Sequence, residues 1–280
     1  MNLNSPHSFS SALPGRLVRA GRLVRVFMAA SAQQALAYRA NFALSALHSL
    51  LKLGTGVLGL LVVFGQVELV RGWSFAATLA VLGVYLLLGA LRDLFISPSL
   101  DALAGMDGEV WQGTLDFTLI RPVDVQFLAS VRYWRPFALL DLALAGGVLG
   151  VALARLEVAW APGRLLAFAV TLGAGTLTLY AILLAFTGLV FWSPGFLFSW
   201  VFDGVFQMAR YPVGLYPGGL RLLLTWVVPV GVITTVPAQA LAGELAPGMM
   251  AAVVAFSLAL VLASSWLFRA GLRRYASASS

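Results

Sequence analysis

Residues 73–95 read WSFAATLAVLGVYLLLGALRDLF, and no charge occurs in that run until Arg92 and Asp93 at its end. A helix needs about 20 residues to cross a hydrocarbon core of roughly 30 Å, and this stretch is long enough. Comparable runs are expected to span at about 41–64, 127–152, 165–191, 220–241 and 246–268. The fifth holds Pro229 and Pro237, so it is expected to be kinked or broken near its outer end. Before it, residues 192–219 are aromatic and are interrupted by Pro194, Pro212 and Pro217, with Arg210 among them. Aromatic rings with Arg suit the membrane–water boundary, so 196–209 is read as a short interfacial or re-entrant helix. The fold expected is all-α: a polytopic helical membrane protein of six transmembrane helices.

Composition agrees. Of 280 residues, 60% are hydrophobic and 10% charged, and the mean hydropathy is +0.92. Soluble domains carry about 25% charged residues, so a soluble enzyme, a disordered chain and a nucleic-acid binder are all excluded. Because the apolar excess comes in long runs, the spans are helices and not barrel strands. There is no Cys, hence no disulfide, thiolate metal site or cysteine nucleophile.

The net charge of +7 is carried almost wholly by Arg, Lys52 being the single Lys. In a membrane protein that excess reports orientation, because cytoplasmic segments collect basic residues. Residues 1–15 are polar and Ser-rich, and 1–40 is read as a cytoplasmic N-terminus. Arg16, Arg19, Arg22 and Arg25 lie in a basic helix over 16–39, at the cytoplasmic interface. With six spans and the N-terminus inside, cytoplasmic segments hold fourteen Arg: those four, Arg39, Arg92, Arg121, Arg132, Arg135, Arg210, Arg221, Arg269, Arg273 and Arg274. Outer loops hold three, Arg71, Arg155 and Arg164. Both termini, including the tail 269–280, are therefore expected in the cytoplasm.

Catalytic patterns are missing. No H-E-x-x-H and no G-x-x-x-x-G-K-[ST] occurs, which argues against a zinc protease and against ATP binding by a P-loop. Four intramembrane polar residues are candidate pathway groups: His48, Lys52, Arg92 and Asp141. His48 and Lys52 share a helix face at spacing four. They line a substrate path or reach toward headgroups. Arg92 is expected to pair with Asp141, and Asp203 to be solvated.

The coupling loop, residues 96–126, gathers the acidic groups. Asp107 is placed to cap a short helix beginning near Gly108, with Glu109 in its first turn. Val110, Leu115 and Phe117 alternate with polar residues, and Pro122 ends the element. A half-apolar cytoplasmic helix of this kind either presses into a groove on a soluble partner or lies on the membrane.

The run Gly113-Thr114-Leu115-Asp116-Phe117 with Arg121-Pro122-Val123 resembles the loop of the ABC-2 type transporter permeases. More narrowly, it resembles a subgroup of viologen or drug exporter components. Arg39-Ala40-Asn41-Phe42 is similar to the family's entry to the first span. Leu220 through Pro229 with Val236-Pro237-Ala238 is similar to its fifth span, and Gly271-Leu272-Arg273-Arg274-Tyr275-Ala276-Ser277 to its tail. The resemblance implies a permease subunit of an ATP-driven exporter, not itself an enzyme, with a coupling helix after the second span. Asp107, Glu109, Val110, Gly113, Leu115, Asp116, Phe117 and Arg121 would meet a cytosolic ATPase dimer. ATP and Mg would bind in that partner, and this chain would carry no cofactor. A second permease subunit, a non-identical sister rather than self, would complete the pathway in a bacterial plasma (inner) membrane. Better-known relatives have paired re-entrant helices before the last span. Here the outer connection is short unless Pro229–Ala242 folds back. The substrate expected is hydrophobic or amphipathic: a drug, an organic cation or a lipid. The alternatives are a membrane scaffold without transport, or an intramembrane enzyme.

Overall fold

The computed structural model describes residues 12–37, 39–156, 161–193 and 198–275. The polar stretch at 1–11, part of the outer connection at 157–160, residues 196–197 of the expected interfacial helix and the tail at 276–280 lie outside the described residues. Apart from a two-stranded hairpin, the described regular elements are helical. They are α1 (Ala12–Ala37) and α2 (Arg39–Phe64), then β1 (Leu69–Val70) and β2 (Trp73–Ser74), then α3 (Phe75–Leu91). Ser74 caps α3, its hydroxyl accepting from the Ala77 N–H at 3.2 Å. Residues Ala77 to Ala90 are buried except Leu87, so α3 is the axis of the bundle.

The second span does not stop at Phe95 as expected. A π-helical turn, Arg92–Ile96, carries α3 straight into α4 (Ser97–Ala104), giving one apolar helix from Phe75 to Ala104. Pro98 lacks the N–H that would bond the Leu94 carbonyl four residues back. That carbonyl instead accepts from the Arg135 N–H at 2.9 Å, so the proline leaves no orphan acceptor.

The third span is also revised. The run 127–152 divides into α6 (Val125–Val131) and α7 (Ala138–Leu156), with a break at 132–137. Pro136 disfavours helix at Arg135, and the Tyr133 N–H bonds the Ser99 hydroxyl at 2.8 Å instead of a helical carbonyl. α7 then runs antiparallel to α3, with Gly83 so close to Leu149 that a Cβ there would fall 2.8 Å from its side chain. α8 (Pro162–Leu189) starts on Pro162, and it packs along α12 (Pro247–Leu272). Gly188 and Gly271 let those two backbones touch, a Cβ at Gly188 meeting Phe268 Cα at 3.0 Å.

α2, α3 continued through α4, α7, α8 and α12 are long and apolar enough to cross a membrane. One end of the bundle carries the β-hairpin and the starts of α3 and α8, and is here the hairpin end. The other carries residues 97–137, the loop end. α9 (Phe198–Phe206) and the 3-10 turns Gln207–Arg210 and Val213–Leu215 do not stay at one interface. Asp203 meets Arg92, the Phe206 ring lies tilted against Tyr85 with centroids 5.0 Å apart, and Gly214 abuts Trp73. The segment therefore runs the length of α3 from loop end to hairpin end. There Arg71, in the hairpin turn at φ 49, donates to the Tyr216 carbonyl at 3.1 Å.

The expected kink in the fifth span is present, but the run is not one straight crossing. α10 (Gly218–Leu222) with a π turn to Val227 is bent by 78° from Gly231–Ala242, which ends in α11 (Val236–Ala242). Gly218 begins beside Tyr216 at the hairpin end. Ile233 reaches Gly175, near the middle of α8. Gly243 returns to Arg164, at the start of α8. Both limbs thus enter and leave at the hairpin end. The deep limb is the better packed: residues 230–238 are buried, and Thr234 donates to the Ala209 carbonyl at 3.1 Å.

Candidate functional site

At the loop end, residues 105–114 form turns instead of the helix expected from Gly108. Three glycines explain this. Gly105 is extended at ψ 179 and ends α4, a Cβ at Gly108 would lie 2.7 Å from the Leu103 carbonyl oxygen, and Gly113 sits at φ 65. Asp107 caps no helix; its carbonyl accepts from the Gln112 side chain at 3.0 Å. One helical turn, α5 (Asp116–Leu119), follows, with Asp116 in its first turn.

The loop is tied inward through residues expected to face a partner. Glu109 Oε1 lies 2.5 Å from Arg132 Nη1, and Glu109 Oε2 accepts from the Thr118 hydroxyl at 2.6 Å. Leu115 is fully buried and Val110 packs against the same core. What faces outward is Phe117, 68% exposed, with Ile120 at 80%, and also Met106 and Trp111. Arg121 is exposed beside them. Met106, Trp111 and Ile120 were not among the expected residues, because alternation along a supposed helix does not describe a chain of turns. Tyr275 of the tail lies at this end; burial, then the Asp116 carboxylate, push its phenol up.

α1 crosses the same end. The Ser31 hydroxyl accepts from the Trp134 N–H at 3.2 Å, and Arg19 borders a cavity with Pro122, Val123 and Asp124.

Three of the four expected pathway residues come together. His48, Lys52 and Arg92 line one cavity of about 530 Å³ between α2, α3 and α9. Asp141 does not; it lies in the first turn of α7. Arg92 pairs with Asp203, Nη1 to Oδ1 at 2.5 Å, and not with Asp141 as expected. Arg92 also donates from Nε to the Ser97 hydroxyl at 2.9 Å. Asp203 is therefore an ion-pair partner, though still partly solvated.

Sequence reasoning did not foresee the other walls. Two cations lie near the Tyr85 ring, Lys52 Nζ at 5.8 Å and the Arg210 guanidinium at 5.5 Å from its centroid. Its hydroxyl contacts Gln207 Oε1 at 3.4 Å. Asp93, Asp101 and Arg135 line the cavity toward the loop end. The i, i+4 spacing marks one wall, but nothing local links Lys52 to Arg210. Among the described residues, no group of three or more His, Cys, Asp or Glu is placed to hold a metal ion.

Neither a search of curated proteins nor one of solved structures finds a match. A family model does match: that of the ABC-2 family transporter proteins, over residues 50–279. That range takes in the turn-rich loop, the bent pair and α12, and begins after Arg39–Phe42. Since the match covers well over half of the chain, this multi-pass protein belongs to the ABC-2 transporter family as a membrane permease component.

Proposed function

We propose that the chain is the permease subunit of an ATP-driven exporter and that a cytosolic ATPase dimer docks on its loop end. ATP and Mg are held by that partner. The observation that carries this reading is the surface of Phe117, Ile120, Trp111 and Met106. It is apolar and exposed, and the Glu109–Arg132–Thr118 interlock holds it in place. A loop braced in this way transmits force, whereas a limp connector would absorb it. The π turn and α4 join the loop rigidly to α3, the most enclosed helix of the bundle.

In this reading the segment 198–216 makes the crossing between α8 and the bent pair, and 218–242 is a re-entrant hairpin. Six crossings then keep both termini on one side. The Arg tally supports the cytoplasm for that side, in a bacterial inner membrane. Arg210 moves inside the bundle and Arg221 to the hairpin end. Fourteen less two leaves twelve, against three plus one, or four, and the bias survives. The face of α2 is left largely uncovered, with Leu44, Leu47, Leu51, Leu58 and Val62 exposed. That face suits a second permease subunit, a non-identical sister. The cavity beside it carries a hydrophobic or amphipathic substrate.

The test is co-purification. The full chain, expressed with the ATPase encoded beside it, should retain that ATPase and support ATP-dependent export. Retention without any ATP-dependent movement of solute would favour a scaffold.

A further inference from the structure

The polarity of the cavity between α2, α3 and α9 narrows the substrate class. Lys52 Nζ and the Arg210 guanidinium lie 5.8 and 5.5 Å from the Tyr85 ring centroid, and among the described residues neither pairs with a carboxylate. A cation–π contact offsets only part of the cost of holding a charge at membrane depth. Three carboxylates line the same cavity. Asp203 is taken by Arg92. Asp93 lies one helical turn past Gly89, where an added Cβ would meet Lys52 Nζ at 3.1 Å, and Asp101 lies eight residues further along the same helix, about 6 and 18 Å from Gly89 at the rise of a helix. The cations that line the cavity, Lys52, Arg92, Arg135 and Arg210, outnumber its carboxylates, Asp93, Asp101 and Asp203. An organic cation would find the Tyr85 ring already faced by two positive groups.

A second cavity repeats the pattern at the hairpin end. It encloses about 680 Å³, and its described lining includes Arg71, Arg221, Trp73 and Trp226 but no carboxylate. Arg210 and Arg221 belong to the one stretch that leads from the first cavity to the second.

We propose that the loop-end cavity binds the anionic headgroup of an amphiphile, a phosphate or carboxylate, between Lys52 and Arg210, with Arg71 and Arg221 forming a second station. This makes an anionic amphiphile the substrate class, a step that rests on reading the cavity as the export pathway. Gln207 offers its amide to the same headgroup.

The test uses the purified full-length chain in nanodiscs of zwitterionic lipid. Three probes are compared: pyrene-labelled dodecyl phosphate, the matched dodecyl trimethylammonium, and inorganic phosphate as competitor. Dodecyl phosphate should bind in preference to the cation. Lys52→Gln and Arg210→Gln should each weaken it by about tenfold or more, the loss of one charge-assisted hydrogen bond. Lys52→Arg should bind nearly as the parent does, which separates a headgroup contact from a folding defect. Displacement by millimolar inorganic phosphate assigns the site to free anions; no displacement assigns it to a tailed headgroup. Preference for the cationic amphiphile, or unchanged binding in both Gln variants, overturns the proposal. Vesicles carrying the complex with its ATPase separate the two readings. Lys52-dependent binding without ATP-driven movement sinks the pathway and leaves the anion site standing. ATP-driven movement of the cation, indifferent to Lys52→Gln, does the reverse.

Discussion

Glu109 Oε1 and Arg132 Nη1 lie 2.5 Å apart, and the other oxygen of the same carboxylate accepts from Thr118. One side chain thereby joins the turns after α4 to α5 and to the end of α6. Both partners of the pair are about four-fifths shielded, at 18% and 20% exposure, so the bond is less screened than a surface pair.

Breaking this joint should loosen the loop alone. Glu109→Ala removes charge-assisted hydrogen bonds worth roughly 1.5–3 kcal/mol and leaves the Arg132 guanidinium without its partner. Amide exchange over residues 106–120 should quicken, while exchange in α3 and α8 stays as it was. Glu109→Gln keeps an acceptor for Thr118 and should fall between the two. Equal exchange in all three proteins would show that the interlock contributes nothing.

Phe117 and Ile120 should matter to the partner and not to the fold. Each is mostly exposed, and burying such a side chain contributes roughly 1.5–3 kcal/mol, about ten- to a hundredfold in affinity. Phe117→Ala and Ile120→Ala should weaken ATPase capture by that order, with the thermal midpoint of the permease unchanged. Leu115→Ala should do the opposite. It empties a fully buried position, at a cost of about 2–5 kcal/mol in chain stability. An exposed-face variant that captures ATPase normally would make the loop a connector only.

The helical class and five of the crossings are legible in residues 41–64, 75–91 and their counterparts, because hydrocarbon demands long apolar runs and these have them. The sixth is not. The stretch 198–216, proposed above as that crossing, carries Asp203, Arg210 and Pro212, and it lies along α3 where Arg92 and Tyr85 meet those charges. Those partners lie more than a hundred residues away and leave no local mark. The bent pair 218–242 is long and apolar enough to be read as a span; Pro229 marks its break, but not that its two limbs lie 78° apart. In the loop, alternation suggested an amphipathic helix, and Gly105, Gly108 and Gly113 replaced it with turns. The His48–Lys52 face was readable from spacing; the basic pair with Arg210 exists only in three dimensions.

Close helix contacts should fail at selected glycines. A Cβ at Gly188 would meet Phe268 Cα at 3.0 Å, and one at Gly175 would meet the Ile233 carbonyl oxygen at 2.8 Å. Both clashes are with backbone, so no rotamer relieves them, and overpacking of this kind costs about 1–3 kcal/mol. Gly188→Ala and Gly175→Ala should each lower the thermal midpoint in detergent. Gly146→Ala, with nothing within 4 Å of the added carbon, should leave it level or raise it through better helix propensity. A matching loss at Gly146 would mean that the close contacts are not what selects glycine.

The path of the chain after α8 yields the sharpest test, and the protein is suited to it because it has no native Cys. Single cysteines at Gly219 and Glu244 mark the two ends of the bent pair, and Val67 marks the hairpin end, all three exposed. Met106, also exposed, marks the loop end. If 218–242 is a re-entrant hairpin, Gly219→Cys and Glu244→Cys react with a membrane-impermeant maleimide from the same side as Val67→Cys. Met106→Cys then reacts only from the other side. A straight fifth span over 220–241 predicts otherwise: Gly219→Cys would label with Met106→Cys and Glu244→Cys with Val67→Cys. The Arg71 bond to the Tyr216 carbonyl at 3.1 Å, and the seat of Gly243 against Arg164, both favour the first pattern. Labelling of Gly219→Cys from the loop side in intact vesicles would remove the hairpin and the crossing by 198–216 together.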